Sequence, residues 1–143
     1  MTLQEPPRRN PAYLTGDSGP AEVRARIHAA MADLKRLADV VAIAIARRDG
    51  MIIAHDLPRD VDPRKAAAMT AAIVGTSEMA ARELGQGKFL QAIVDSEHGK
   101  MLSTGAGDEA LLVTLVRSEA NMGLVLLGVD RAAHRIAQIL AGE

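Results

Sequence analysis

The segment running from Asp62 to Gly85, DPRKAAAMTAAIVGTSEMAARELG, decides the fold: it is helical by local rules yet lacks a polar outer face. Asp62 suits an N-cap, Pro63 suits the first helical position, and Gly85 suits the C-terminal stop. From Ala66 to Ser77 no residue is charged. Such a helix carries apolar or small residues on every side for about three turns, so it needs two covers. Met69, Ile73, Thr76, Ala80 and Leu84 share one face, with Ala66 at its start, and that face is expected to pack on the chain's own sheet. Ala67, Ala71, Val74 and Ala81 flank it, while Ala68, Ala72, Gly75 and Met79 lie further round. One alternative is an alanine-rich surface helix, whose alanines expose little apolar area. Gly75 and Thr76 weigh against it, because both lower helix propensity in mid-helix. Small residues there favour the close approach of another backbone, and a second helix is the expected outer cover.

The stretch just downstream points the same way. FLQAIVDS, Phe89 to Ser96, reads as a strand with Leu90, Ala92 and Val94 on one face and Phe89 and Ile93 on the other. It opens a meander directly after the helix, which suits a sheet edge; an interior position is the alternative. An edge strand without proline or lysine in its body invites pairing with another chain. If both features belong to one interface, a two-fold homodimer follows, edge strand against edge strand and helix beside helix. The expected interface then holds Ala67, Ala71, Val74, Gly75, Ser77, Glu78 and Ala81 on the helix, with Phe89, Gln91, Ile93 and Asp95 on the strand.

Outward from this centre, the remaining elements follow from spacing. Pro20 suits the first turn of a helix and Glu22 suits the positive end of its dipole. Val23, Ile27, Met31, Leu34 and Ala38 step at helical intervals, which predicts a helix from Pro20 to about Asp39. In VVAIAIARRDGMIIAHD, Val41, Ile43 and Ile45 share one strand face and Ala42, Ala44 and Ala46 the other. Asp49-Gly50 is a hairpin turn signal leading into a strand from Met51 to about His55. The alanine face would let a helix approach the sheet closely. KMLSTGAG and ALLVTLV, the latter from Ala110 to Val116, complete an antiparallel meander. Met122, Val125, Val129, Ala132, Ile136 and Leu140 keep helical spacing, with Asn121 as N-cap, so the last element is a helix from about Met122 to Ala141. The order is α-β-β-α-β-β-β-α, an α+β fold of five antiparallel strands with three helices on both faces. Residues 1–19, with Pro6, Pro7 and Pro11 and no periodicity, are expected to form a disordered tail, and 20–141 one domain.

Composition narrows the function classes. Lys plus Arg number 17 against 18 Asp plus Glu, giving a net charge of -1 and no global electrostatic reason to bind nucleic acid. The only aromatics are Tyr13 and Phe89, so stacking platforms for single-stranded bases are missing. The absence of cysteine excludes disulfides, thiolate metal sites and cysteine nucleophiles. No apolar h-region stands at the N-terminus and no run is long enough to span a bilayer, so a cytoplasmic, prokaryotic setting is expected. Gly99-Lys100 is followed by Met and is no Walker sequence. GAGDE, Gly105 to Glu109, lies between strands, where it reads as a turn rather than a phosphate loop. His28, His55, His98 and His134 sit on separate elements with no metal-ligand spacing. No catalytic residue, metal ligand or cofactor site is expected.

The segments ARRDGMIIA (46–54), AAMTAAIVGTSEMAARELG (67–85), KMLSTGAGDEALLV (100–113) and ANMGLVLLGVDRAA (120–133) together resemble the Roadblock/dynein-light-chain domains, which share a profilin-like or longin-like core. With the first helix, the resemblance covers about 20–141, and it is nearest in look to prokaryotic members. It implies the middle helix on one sheet face and the terminal helices on the other, and dimers in which third strands pair and middle helices meet. It implies a partner, a small Ras-like GTPase, whose hydrolysis or nucleotide state is modulated by protein contacts without a donated arginine finger. It supplies no catalytic residue, so Arg47, Arg48, Arg64, Arg82 and Arg131 take no such role. The alternative is a light-chain-like adaptor that clamps a partner peptide without affecting turnover. A small-molecule sensor and an enzyme rank below both, since no converging polar cluster supports either.

Overall fold

The computed structural model describes residues 19–143. The expected N-terminal tail, with Arg8 and Arg9, lies outside the described residues. The elements are α1 (Pro20–Lys35), β1 (Val40–Arg47), β2 (Ile52–Asp56), α2 (Pro63–Glu83), β3 (Gln91–Ser96), β4 (Gly99–Ala106), β5 (Ala110–Val116) and α3 (Met122–Leu140). Their order is the one the spacing predicts, and α3 runs as a single helix through Gly123 and Gly128. α1 ends several residues earlier than expected, because Leu37 and Val40 take up turn hydrogen bonds that lead the chain into β1.

Local chemistry accounts for the boundaries. The Asp62 carboxylate accepts a hydrogen bond from the Arg64 amide at 2.9 Å, and the Asn121 side chain accepts one from the Leu124 amide at 3.3 Å. Past α2, Gly85 adopts φ 68°, donating to Arg82 O while Gln86 donates to Ala81 O. These two bonds satisfy the last carbonyls of the helix in the double pattern a left-handed glycine permits. At the β1–β2 turn, Gly50 sits at φ 92°, a conformation that side chains with a Cβ disfavour.

The five strands form one antiparallel sheet in the order β2-β1-β5-β4-β3. β2 and β3 are therefore its edges, as expected for β3. α1 and α3 pack together on one face, where Val23, Ile27, Met31 and Leu34 of α1 meet Val125, Val129 and Ile136 of α3 over Ile43, Ile45, Leu102 and Leu112. α2 covers the opposite face and packs chiefly on β1.

The orientation of α2 corrects the sequence reading. Its buried residues are Ala67, Thr70 and Val74, while Met69, Thr76, Ala80 and Leu84, expected against the sheet, are exposed. The reason lies in the surface beneath. β1 presents Ala44 and Ala46 on that face, and both are fully buried. A sheet lined with methyl groups is matched by a helix face of small residues at short range, so the bulkier Met69 and Leu84 turn outward. Val74 is the one large apolar side chain that α2 buries completely, worth roughly 1.5–3 kcal/mol of transfer free energy.

Candidate functional site

With Ala67, Thr70 and Val74 turned inward, α2 presents Met69, Ala72, Thr76 and Met79 to solvent, spaced by three and four residues along one stripe, with Ala80 beside it. Met69 and Met79 are 58% and 55% exposed. Gly75 lies beside this stripe, and a Cβ built there would meet nothing within 4 Å. The helix therefore does carry an uncharged outer face: Ala72, Gly75 and Met79 lie on it as expected, joined by Met69, Thr76 and Ala80, expected against the sheet.

Beyond the end of α2, the chain passes through exposed Leu90 into β3. Within β3, Gln91, Ile93 and Asp95 alternate with Ala92, Val94 and Ser96, and the strand pairs on one side only, with β4. Its outer row of backbone donors and acceptors has no strand beside it among the described residues, which makes it a template for strand addition. Val94 lies opposite Met101, and Met101 opposite Leu115. With Val41 they line an open hollow of about 670 Å³ rimmed by Lys100 and Arg117. Lys100 Nζ donates to Ser118 O at 2.7 Å and lies 3.2 Å from Asp95.

The expected interface residues divide into three groups. Ala67 and Val74 are buried under α2 and cannot reach a partner, because the helix has turned that side to its own sheet. Ala71, Ser77, Glu78 and Ala81 are half-buried at the flanks of the helix, and Glu78 is already engaged by Arg48. Gly75, Gln91, Ile93 and Asp95 are exposed. Phe89 is half-buried and precedes β3 instead of lying in it, since the strand starts at Gln91.

Two features had no sequence signal. The Arg48–Glu78 pair joins the β1–β2 turn to α2, and a groove between α1 and α3 is lined partly by leucines. Both join segments distant in the chain, beyond the reach of periodicity. The four histidines are exposed and dispersed, and the described residues hold no group of three or more His, Cys, Asp or Glu placed to hold a metal ion. Gly107, at φ 77°, turns β4 into β5, as the reading of GAGDE requires. Among the described residues no helix is long and apolar enough to cross a membrane.

The Roadblock/LC7 domain model matches residues 19–116, from the start of α1 to the end of β5. The chain belongs to the Roadblock/LC7 family. This Roadblock/LC7 protein is 36% identical over 104 residues to Uncharacterized protein MJ1340 of Methanocaldococcus jannaschii, covering 73% of this chain and 90% of that one. Among solved structures, it is similar to gliding protein MglB from Thermus thermophilus, with a TM-score of 0.77 at 22% identity over 91% of this chain and 96% of the other. An MglB described as having a tetrameric arrangement gives a TM-score of 0.72 at 25% identity, over 82% and 92% of the two chains. α3 lies outside the matched range of the domain model, yet it completes the core of this Roadblock/LC7 domain from the side opposite α2.

Proposed function

We propose that this Roadblock/LC7 protein is a cytoplasmic homodimeric regulator or scaffold that binds a small Ras-like GTPase and modulates its GTP hydrolysis or nucleotide state. It acts through protein contacts, without chemistry of its own. The observation that carries this reading is the pairing of two exposed features on one domain, the uncharged outer stripe of α2 and the β3 edge that follows it in the chain and has no strand beside it among the described residues. Exposed apolar surface of this kind on a globular domain marks an interaction site. Antiparallel pairing of β3 with its copy would satisfy both edges at once and bring the two α2 helices together over the joint sheet. With Ala67 and Val74 facing inward, the helix part of the interface passes to Met69, Ala72, Gly75, Thr76 and Met79. The family resemblance supports the GTPase as partner, and the likeness to an MglB of tetrameric arrangement supports association between copies.

The test has two stages. Sedimentation velocity on the full chain should give a dimer that Met79→Glu converts to monomer, because burying an unpaired carboxylate is costly. Titration of the dimer into a purified small Ras-like GTPase from the same genome should then change single-turnover GTP hydrolysis or nucleotide release. A dimer that neither binds the GTPase nor alters either rate would overturn the regulatory reading.

A second reading rests on the hollow of Val41, Val94, Met101 and Leu115 beside the β3 edge. A light-chain-like adaptor could clamp an extended peptide there, adding a strand and seating alternate side chains in the hollow. A pull-down returning a non-GTPase partner held by an extended segment, with GTPase turnover unchanged, would favour it.

A further inference from the structure

The sheet face opposite α2 carries a second apolar feature of a different electrostatic character. α1 and α3 leave between them a groove of about 550 Å³. Its floor is Leu34 and Ala132, both buried. Its walls are Leu37, just past the end of α1, and Leu124 and Leu127 on the first turns of α3, which are 55% and 52% exposed. Gly128 shapes the notch between the walls, for a Cβ there would lie 2.7 Å from Leu37 Cδ1 and 3.3 Å from Leu34 Cδ1.

The rim is basic. Arg36, Arg131 and Arg135 surround the leucines, against one carboxylate, Asp33, to which Arg135 is hydrogen-bonded. Arg36 and Arg131 make no ion pair or side-chain hydrogen bond among the described residues. The other acids of this region are directed elsewhere. Asp39 receives the Asn121 amide and lies near Arg117, while Asp130 lines a separate hollow with His134 and Lys88. Two unpaired guanidinium groups thus flank exposed leucines in a chain whose net charge is -1.

That pattern discriminates among occupants. Residues 1–18 carry Glu5 and Asp17 against Arg8 and Arg9, so the chain's own N-terminal segment offers no charge complement. A second copy paired through β3 and α2, as proposed above, engages the opposite sheet face and leaves this groove open. We propose that the α1/α3 groove is a docking site for a short acidic segment of a partner protein, with apolar side chains seated on Leu37, Leu124 and Leu127 and carboxylates paired with Arg36 and Arg131. Guanidinium groups suit this task because their planar fork takes both oxygens of a carboxylate, and partial desolvation by neighbouring leucines strengthens the pair. The leucines supply area and the arginines supply register and sign. Because α2 lies on the other sheet face, one chain can hold a partner on each side, which makes it a bridge between two proteins.

The experiment is selection of displayed random sixteen-residue peptides on the full chain, with counter-selection on Leu127→Glu. Enriched peptides should combine Asp or Glu with Leu, Ile or Phe. Synthesised and labelled, they should bind the wild-type chain in fluorescence anisotropy and weaken as salt rises. Arg131→Glu and Leu127→Glu should each weaken binding by about tenfold or more, the scale of losing an anchoring contact. A Lys-for-Glu version of the same peptide should bind Arg36→Glu/Arg131→Glu better than wild type. Circular dichroism should match wild type for each variant, and Arg131→Ala replaces Arg131→Glu if the glutamate disturbs the helix. Met79→Glu should leave peptide binding intact, which separates this groove from the α2 surface. The proposal is overturned by selection that enriches no peptide, by enriched peptides that are basic or neutral, or by binding insensitive to these variants. It is equally overturned if Leu127→Glu acts only by dissociating a self-associated form, or only by abolishing retention on phosphatidylserine vesicles.

Discussion

Arg48 Nη1 donates to both carboxylate oxygens of Glu78, at 2.9 and 3.0 Å, and so ties the β1–β2 turn to α2 across 30 residues of sequence. Both side chains are about a third exposed, which keeps the pair within reach of solvent ions. α2 buries few large side chains, so this bond is one of its main lateral fixings.

Glu78→Gln should therefore lower stability by about 0.2–1 kcal/mol, the range of partly exposed ion pairs. The loss should shrink as salt is raised, because screening already weakens the wild-type pair. Urea unfolding at two ionic strengths measures both quantities.

The two sides of α2 should respond unequally to truncation. Val74 is buried to 1% exposure, so Val74→Ala should cost about 2 kcal/mol from lost transfer free energy and an unfilled gap. Met79→Ala, on the outer stripe, should change protomer stability by less than about 0.5 kcal/mol. Denaturant unfolding at concentrations where the chain is monomeric separates these from any effect on association.

Gly75 offers a sharper contrast. Open space surrounds the position a Cβ would take, so Gly75→Ala should stabilise the protomer by about 1 kcal/mol through helix propensity. In the proposed dimer the same methyl stands between two helices. Thermal melting should rise while the dimer dissociation constant, from sedimentation equilibrium, should worsen.

Thr114 is fully buried between Ile43 and Leu102 on the neighbouring strands, and its hydroxyl has no hydrogen-bond partner among the described residues. Thr114→Val removes the buried hydroxyl and keeps the shape, so it should raise stability by about 1 kcal/mol. Thr114→Ser keeps the hydroxyl and loses the methyl, and should lower stability. Calorimetric melting of the pair checks the sign.

Much of this fold is legible before any coordinates. Asp62 and Asn121 cap as their residue types require, Gly85 terminates α2 in the left-handed conformation, and the 3.6-residue stripe through Met122 to Leu140 gives one helix despite two glycines. The β3 edge follows from a strand that opens a meander directly after a helix. The candidate site was legible only in part. An uncharged face on α2 is inferred from the segment 66–77, and Ala72, Gly75 and Met79 lie on it as spacing places them, whereas Met69 and Thr76 face out and Ala67 and Val74 face in, against expectation. The α1/α3 groove gave no signal, because Leu124 and Leu127 read locally as ordinary members of an apolar helix.

Sequence alone determined the elements and their order, since capping, turn chemistry and periodicity act over a few neighbouring residues and need no partner. Tertiary structure decided which side of α2 faces inward. Periodicity weighs side chains by bulk and assigns the bulkiest to the core, whereas packing weighs the shape of the opposing surface. Over the alanine face of β1, small residues fit closely and bury Val74, while Met69 and Leu84 remain outside. The same reason governs the groove. Leu37, Leu124 and the arginines around them converge only when α1 and α3 lie together, with Gly128 admitting Leu37 to the space a side chain would fill.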